Sequence, residues 1–207
     1  MKKTSKSSFS QTKQDRSQKT LDDLMESANQ IVNEADPEKF TSRWLAEKSG
    51  YALGTLVKRL GSVENIFLWV IKRGQQKNFE SFANIIEEFN DDLPLSNLLE
   101  EITTVTFSAM KGVNPRVIRY FENRSAKNHN YSELLFDYAD VLVKPFIKAA
   151  KKNKTNTFRE ISECEGRLIF RSILIFAERP FVENNPIAGT KEHRRIVIEN
   201  LSRLLGK

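Results

Sequence analysis

The chain has 207 residues, with 33 Lys or Arg against 27 Asp or Glu, so its formal net charge is +6. A chain of this length can bury a substantial hydrophobic core, and the 39% hydrophobic content predicts a folded protein of one or two domains. A transmembrane role is not expected, because no apolar run approaches the roughly 20 residues that a membrane-spanning helix needs.

Residues 1–20 form a polar segment that carries six Lys or Arg residues and a single Asp. Such a segment buries too little apolar surface to offset the entropy lost on ordering. Residues 1–19 are therefore predicted to be a flexible basic arm, with a solubilising tail that makes no contacts as an equal alternative. The segment also lacks the apolar stretch of a secretory signal, which together with the single cysteine predicts a cytoplasmic protein.

The next segment predicts three helices, since its apolar residues recur three and four positions apart. The first helix is predicted over residues 21–35. The second is predicted over residues 42–48, with Thr41 as its N-cap and Gly50 in the turn that follows. The third is predicted over residues 52–60.

The rest of the chain also has helical periodicity. Gly61 and Ser62 interrupt the pattern, and a long helix with Glu64 near its N-terminus follows them. The alternation typical of strands is absent, so the predicted fold class is all-α. The later predicted helices span residues 96–111, 115–124, 131–152 with a kink at Pro145, 159–178 and 191–205.

The second and third predicted helices have the spacing of a helix-turn-helix. Two short helices cross closely when the first has a small residue at the crossing and the turn tolerates a positive φ. The second helix must also place an apolar residue against the first. Ala46, Gly50 and Leu56 meet these needs at intervals of four and six. The second helix of such a motif enters the major groove of DNA. The alternative is a helical hairpin that uses Ala and Gly in the same way without binding DNA.

The third predicted helix carries residues that suit DNA binding. Lys58 and Arg59 offer cations to phosphates or guanine edges, Thr55 offers a hydroxyl, and Gly54 permits close approach of the backbone. Residues 40–63 contain four cations and one carboxylate. The alternative for the Lys-Arg pair is an ordinary solvated helix face.

These features resemble the DNA-binding domain of the TetR/AcrR family of bacterial transcriptional regulators, over about 50 residues. Residues 52, 53, 57 and 63 depart from the pattern, so Lys58, Arg59 and the basic arm are expected to replace the missing phosphate contacts. The matching residues are Thr41, Leu45, Ala46, Gly50, Gly54, Thr55, Leu56, Leu60, Gly61, Ser62, Glu64 and Ile66.

The resemblance implies a three-helix DNA-binding domain at residues 20–65 and a helical domain for effector binding and dimerisation at residues 66–207. The DNA contacts that we expect lie at Thr41, Ser42, Arg43, Tyr51, Ala52, Gly54, Thr55, Lys58 and Arg59.

The resemblance further implies a homodimer in which the last two helices of each subunit pack against their copies. Apolar residues near the C-terminus agree with such an interface, although stripes of this kind also form an internal core. Residues 168–177 are apolar on more sides than one buried face requires. The stripe residues are Leu168, Ile169, Ile173, Leu174, Phe176, Val197, Leu201, Leu204 and Leu205.

An apolar effector pocket between the middle helices is the third implication of the resemblance, and the expected ligand is a small apolar or amphipathic molecule. Arg171, within a very apolar helix, has three alternatives: it reaches solvent, pairs with a carboxylate such as Glu163 or Glu178, or binds an anionic ligand. The other candidate pocket residues are Phe82, Phe107, Tyr120, Phe121, Phe136 and Tyr138.

The sequence offers few candidate catalytic residues, so an enzyme is not expected. The only histidines, His129 and His193, have polar neighbours and are expected at the surface or in loops. Cys164 is expected to be a small core residue. No phosphate loop, GxGxxG or GxSxG motif occurs, and no metal site or cofactor is expected.

The sequence therefore predicts a dimeric DNA-binding transcriptional regulator rather than an enzyme. The expected mode is a repressor that a small-molecule effector releases from a near-palindromic operator. The alternative is a helical regulator that binds DNA or a protein partner and has no small-molecule effector.

Overall fold

A computed structural model of the chain describes residues 41–52, 62–127 and 137–207, together with residues 22, 23, 26, 27, 30, 54, 55 and 58. The basic arm at residues 1–19 lies outside the described residues. The side chains of four predicted residues also lie outside the described part of the chain: Arg59, His129, Phe136 and Leu174.

The described part of the chain is all-α, which confirms the predicted fold class. The five described residues between positions 22 and 30 are helical, and so are the three described residues between positions 54 and 58. A 3-10 helix spans Asp137–Leu142. The helices of the long described segments are α1 (Ser42–Ser49), α2 (Val63–Glu87), α3 (Leu95–Lys111), α4 (Pro115–Lys127), α5 (Val143–Lys152), α6 (Glu163–Val182) and α7 (Lys191–Leu205).

The chain divides into two compact units, Met1–Ile71 and Lys72–Lys207. The division falls within α2. In the second unit, α3 packs against α6 and α7, and α5 packs against α6. Its core is built from apolar side chains such as Ile86, Leu98, Phe146 and Val197, each almost completely withdrawn from solvent.

Side-chain caps fix the starts of α6 and α7. The Ser162 hydroxyl accepts from the Glu165 N–H, and the Thr190 hydroxyl accepts from the His193 N–H, each at 3.1 Å. The helix predicted over residues 159–178 corresponds to α6, and its predicted start is wrong. The Arg159 N–H donates to the Leu205 carbonyl and keeps this segment extended. The predicted bounds of α7, residues 191–205, are confirmed.

The predicted helix over residues 131–152 is wrong in its described part. Residues 137–142 form a 3-10 helix, and α5 begins only at Val143. Pro145 therefore lies in the first turn of α5, where its missing N–H has no intrahelical partner to lose, and it produces no kink in the middle of a helix.

His193 is buried in the core, which contradicts the expected surface position. Its side chain stacks on Phe107, with ring centroids 4.5 Å apart, and only 2% of the residue is exposed. Nδ1 accepts from the Gly189 N–H at 3.1 Å, so Nε2 carries the proton and donates to the Phe176 carbonyl at 2.8 Å. His193 is thus a fully hydrogen-bonded structural residue.

Cys164 is exposed, which contradicts its expected place in the core. It lies in the first turn of α6, between Glu163 and Glu165, on the side of the helix that faces solvent. None of the described helices is long and apolar enough to cross a membrane.

Candidate nucleic-acid interface

The first helix of the candidate motif, α1, begins at the predicted Ser42 and ends at Ser49, one residue later than predicted. The Thr41 side chain accepts from the Trp44 N–H at 3.3 Å, which satisfies one of the free donors at the start of the helix. Leu45 is completely buried and anchors the inner face of α1. Ser42 is half-buried, while Thr41 and Arg43 are exposed. The N-terminal end of α1 is therefore accessible to a ligand.

The turn after α1 depends on Gly50. Its backbone has φ 71°, in the left-handed region, and its N–H donates to the Ala46 carbonyl at 3.0 Å. A residue with a side chain is strained in this conformation, so glycine is the natural residue here. The predicted spacing of Ala46 and Gly50 thus corresponds to a real helix end and turn.

Tyr51 follows the turn and connects it to an earlier part of the chain. Its hydroxyl donates to Asp23 Oδ2 at 2.9 Å, and its side chain is half-buried. Asp23 belongs to the helical residues that precede α1. The predicted DNA contact at Tyr51 is therefore a residue whose hydroxyl already has an internal partner.

The second helix of the motif is described at Gly54, Thr55 and Lys58, all helical. The Thr55 N–H donates to the Ala52 carbonyl at 2.8 Å. Ala52 itself is not helical, although the helix was predicted to begin there. Ala52, Gly54 and Lys58 are exposed and Thr55 is half-buried. A Cβ atom added at Gly54 would meet no atom within 4 Å, so internal packing does not explain the missing side chain.

Comparison with known proteins places this geometry in a larger fold. No protein-family model matches the chain, and a search of curated proteins finds no match. Solved structures, by contrast, match over nearly the whole chain. A protein from Mesorhizobium loti MAFF303099, described as a TetR-family transcriptional regulator, aligns with 93% of this chain and 99% of its own, at 10% identity and a TM-score of 0.61.

The chain has the fold of the TetR-family transcription regulators. Salmonella enterica GusR aligns with 90% of the chain and 95% of its own, at 17% identity and a TM-score of 0.58. The TetR-family repressor AlkX from Dietzia sp. strain DQ12-45-1b, implicated in biodegradation of n-alkanes, aligns with 87% of the chain and 92% of its own, at 12% identity and a TM-score of 0.54.

Within this TetR fold, three of the predicted pocket aromatics, Phe82, Phe107 and Tyr138, lie in one hydrophobic core and make two separate sets of ring contacts. Tyr138 packs edge-on against Phe79 with ring centroids 4.8 Å apart, and Phe79 packs against Phe82 at 5.4 Å. Phe107 instead packs against Phe181 and His193. Sequence spacing could not predict these sets, because Tyr138 and Phe79 come from different helices, as do Phe107 and Phe181.

Two further predicted pocket aromatics lie on α4. Phe121 is buried, with 4% exposed. Tyr120 is half-buried, and the Arg124 guanidinium lies 5.1 Å from the centre of its ring.

Arg171 forms an ion pair within the TetR fold. Its Nε and Nη2 atoms donate to the two carboxylate oxygens of Asp140, at 2.8 and 2.7 Å. This bidentate hydrogen bonding raises the pKa of Arg171. A carboxylate partner was one of the predicted alternatives, but Glu163 and Glu178 were the wrong candidates. Asp140 lies 31 residues away, so sequence proximity could not have found it.

The outward face of α6 is apolar. Leu168 is 67% exposed, Ile175 58% and Phe176 41%, and these positions share one face of the helix. On α7, by contrast, the exposed Arg195 pairs with Glu192 and Glu199. The described apolar surface near the C-terminus thus comes from α6.

Proposed function

We propose that the chain is a dimeric transcriptional regulator of the TetR family, acting in the cytoplasm as a repressor and without catalytic activity. The observation that carries this proposal is the helix-turn-helix geometry: a capped α1, the turn at Gly50, and an exposed Gly54 and Lys58 on the helix that follows. The nine predicted DNA contacts are part of the proposal.

The DNA-binding step rests on the exposed positions of the motif. Helix-turn-helix proteins place the second helix in the major groove, with its first residues against base edges. Gly54 lets the backbone approach the duplex, and Lys58 supplies a cation one turn later. The exposed Thr41 and Arg43 at the start of α1 suit contacts with the phosphate backbone.

The dimer follows from the exposed face of α6. Leu168, Ile175 and Phe176 expose large apolar side chains that a second copy of the chain would cover. In a two-fold dimer the recognition helices read successive major grooves about 34 Å apart, so the operator is near-palindromic.

Effector release is the final element of the proposal. A small molecule bound in the C-terminal unit would change the spacing of the two recognition helices and weaken operator binding. A coupling free energy of about 1–3 kcal/mol suffices for a change of about 5- to 150-fold in affinity.

The direct test compares binding to the gene's own upstream region with binding to random duplex at physiological salt, followed by fluorescence anisotropy. Lys58→Gln should weaken operator binding and lower the salt slope, −∂log K/∂log[salt], by about 0.9 if Lys58 meets one phosphate. Lys77→Gln makes the same charge change at an exposed position of α2 and should leave both quantities unchanged. Equal affinity of the unaltered protein for operator and random duplex would contradict the proposal.

A further inference from the structure

Buried acceptor atoms gather near Tyr138 in the C-terminal unit. On α2, Lys72 bonds to Asp137 at 3.4 Å, and Phe79 packs on Tyr138. Gln75 lies between Lys72 and Phe79, one turn from each, and so shares the face of α2 that carries these two contacts. Gln75 Oε1 and Asp137 Oδ1 are both buried, and neither has a hydrogen-bond partner among the described residues.

Glu178 of α6 adds a carboxylate to the same place. The 3-10 helix packs against α6, the helix that carries Glu178. Burial raises the pKa of Tyr138, and the charges of Glu178, Glu122 and Asp137 raise it further. Burial also raises the pKa of the Glu178 carboxyl to about 7. Tyr138, Gln75, Asp137 and Glu178 are called the Tyr138 site below.

The cations that approach the Tyr138 site already have carboxylate partners. Arg179 donates to both carboxylate oxygens of Glu122, at 2.8 and 2.9 Å, and to Glu183 at 2.7 Å. Lys72 pairs with Asp137 through Oδ2, which leaves Oδ1 free. The described residues thus leave two buried acceptor atoms without a donor near Tyr138: Gln75 Oε1 and Asp137 Oδ1.

An unpaired buried acceptor costs about 1–3 kcal/mol, so two in one place favour a ligand that brings the donors. A protonated amine supplies three N–H donors and a positive charge. The rings of Phe79, Phe82 and Tyr138 suit an apolar body and attract a cation to their faces. An anion, in contrast, would meet the carboxylates of Asp137 and Glu178.

We propose that the Tyr138 site binds a small molecule that carries a protonated amine on an apolar or aromatic body. This inference rests on the proposed function in that the ligand is the effector. It narrows the expected ligand from apolar or amphipathic molecules to cationic ones.

The experiment uses three probes with the same carbon skeleton and different end groups: 2-phenylethylamine, 2-phenylethanol and phenylacetate. Their binding to the full chain is measured by isothermal titration calorimetry at pH 8 in the absence of DNA. We expect the amine to bind at least about tenfold more tightly than the alcohol, and phenylacetate to bind least. Phenylacetate binding as tightly as the amine would overturn the inference, as would no binding of the amine up to about 10 mM.

Glu178→Gln removes the charge and keeps the shape of the side chain. It should weaken amine binding at least about tenfold and leave alcohol binding unchanged. The matched control is Glu183→Gln, at an exposed carboxylate that pairs with Arg179. This substitution should change neither amine binding nor alcohol binding. Amine binding that Glu178→Gln does not weaken would also overturn the inference.

Operator affinity is measured in parallel while 2-phenylethylamine is added to the protein–operator complex. This measurement separates the inference from the proposed function. Amine that binds the free protein but leaves operator affinity unchanged upholds the Tyr138 site and refutes the effector step. Sequence-specific DNA binding with no preference for the amine upholds the regulator and refutes the site.

Discussion

His193 replaces a backbone donor that α6 lacks, and its substitution tests this role. In a continuous helix the N–H of residue 180 would donate to the Phe176 carbonyl, but Pro180 has no N–H. His193 Nε2 donates to that carbonyl instead, at 2.8 Å, and so connects α7 to α6. The same ring accepts from the Gly189 N–H through Nδ1.

His193→Phe preserves an aromatic ring against Phe107 and removes both hydrogen bonds. It leaves the Phe176 carbonyl and the Gly189 N–H without these partners, at about 1–3 kcal/mol each, so we expect a loss of about 2–6 kcal/mol in the free energy of unfolding. Pro180→Ala restores an N–H that can donate to the Phe176 carbonyl. In that background His193→Phe should cost about 1–2 kcal/mol less than it does alone.

Urea denaturation of the four proteins of this double-mutant cycle gives the coupling free energy, at one fixed protein concentration because the stability of the proposed dimer depends on concentration. A double variant that is less destabilised than the sum of the two single variants, by about 1 kcal/mol or more, agrees with the replacement of a backbone donor by His193. Additive effects, within about 0.5 kcal/mol, would show that Pro180 and His193 act independently and would refute the reasoning.

Two further predictions concern charge and assembly. Burial raises the pKa of Glu178 from 4.5 to about 7, so its carboxyl favours the folded state most below pH 4.5, and that contribution is lost as the pH rises through 7. The loss is up to about 3 kcal/mol. Glu178→Gln should abolish this pH dependence in urea denaturation at pH 5–8, and an unchanged pH profile would refute the assignment to Glu178. Leu168→Glu should convert the proposed dimer to a monomer in sedimentation velocity, whereas Leu93→Glu, at another exposed leucine, should not.

Local signals in the sequence predicted the candidate DNA-binding motif well. Thr41 caps α1 and Gly50 forms the turn because both effects depend on neighbours within four residues. The bounds of α7 were predictable for the same reason, since Thr190 caps its first turn. By contrast, the assignment of residues to domains and to DNA or ligand contacts stays a prediction.

Long-range contacts explain what the sequence could not predict. The polar neighbours of His193 pointed to the surface, but its partners Phe107 and Phe176 come from other helices. Arg171 likewise finds Asp140 across the unit. Pro145 was misplaced because proline suits both a kink and a first turn, and only the 3-10 helix before α5 decides between them.

The side chains of His193 and of the Tyr138 site differ in how their polar atoms are satisfied, and this difference separates stability from ligand response. Around Phe107, both ring nitrogens of His193 have partners, so a ligand there would have to break existing hydrogen bonds. Around Tyr138, acceptor oxygens lack donors, and a ligand would gain hydrogen bonds without breaking any. Substitutions at His193 should therefore change the unfolding free energy with little effect on ligand choice, whereas Glu178→Gln should change ligand choice.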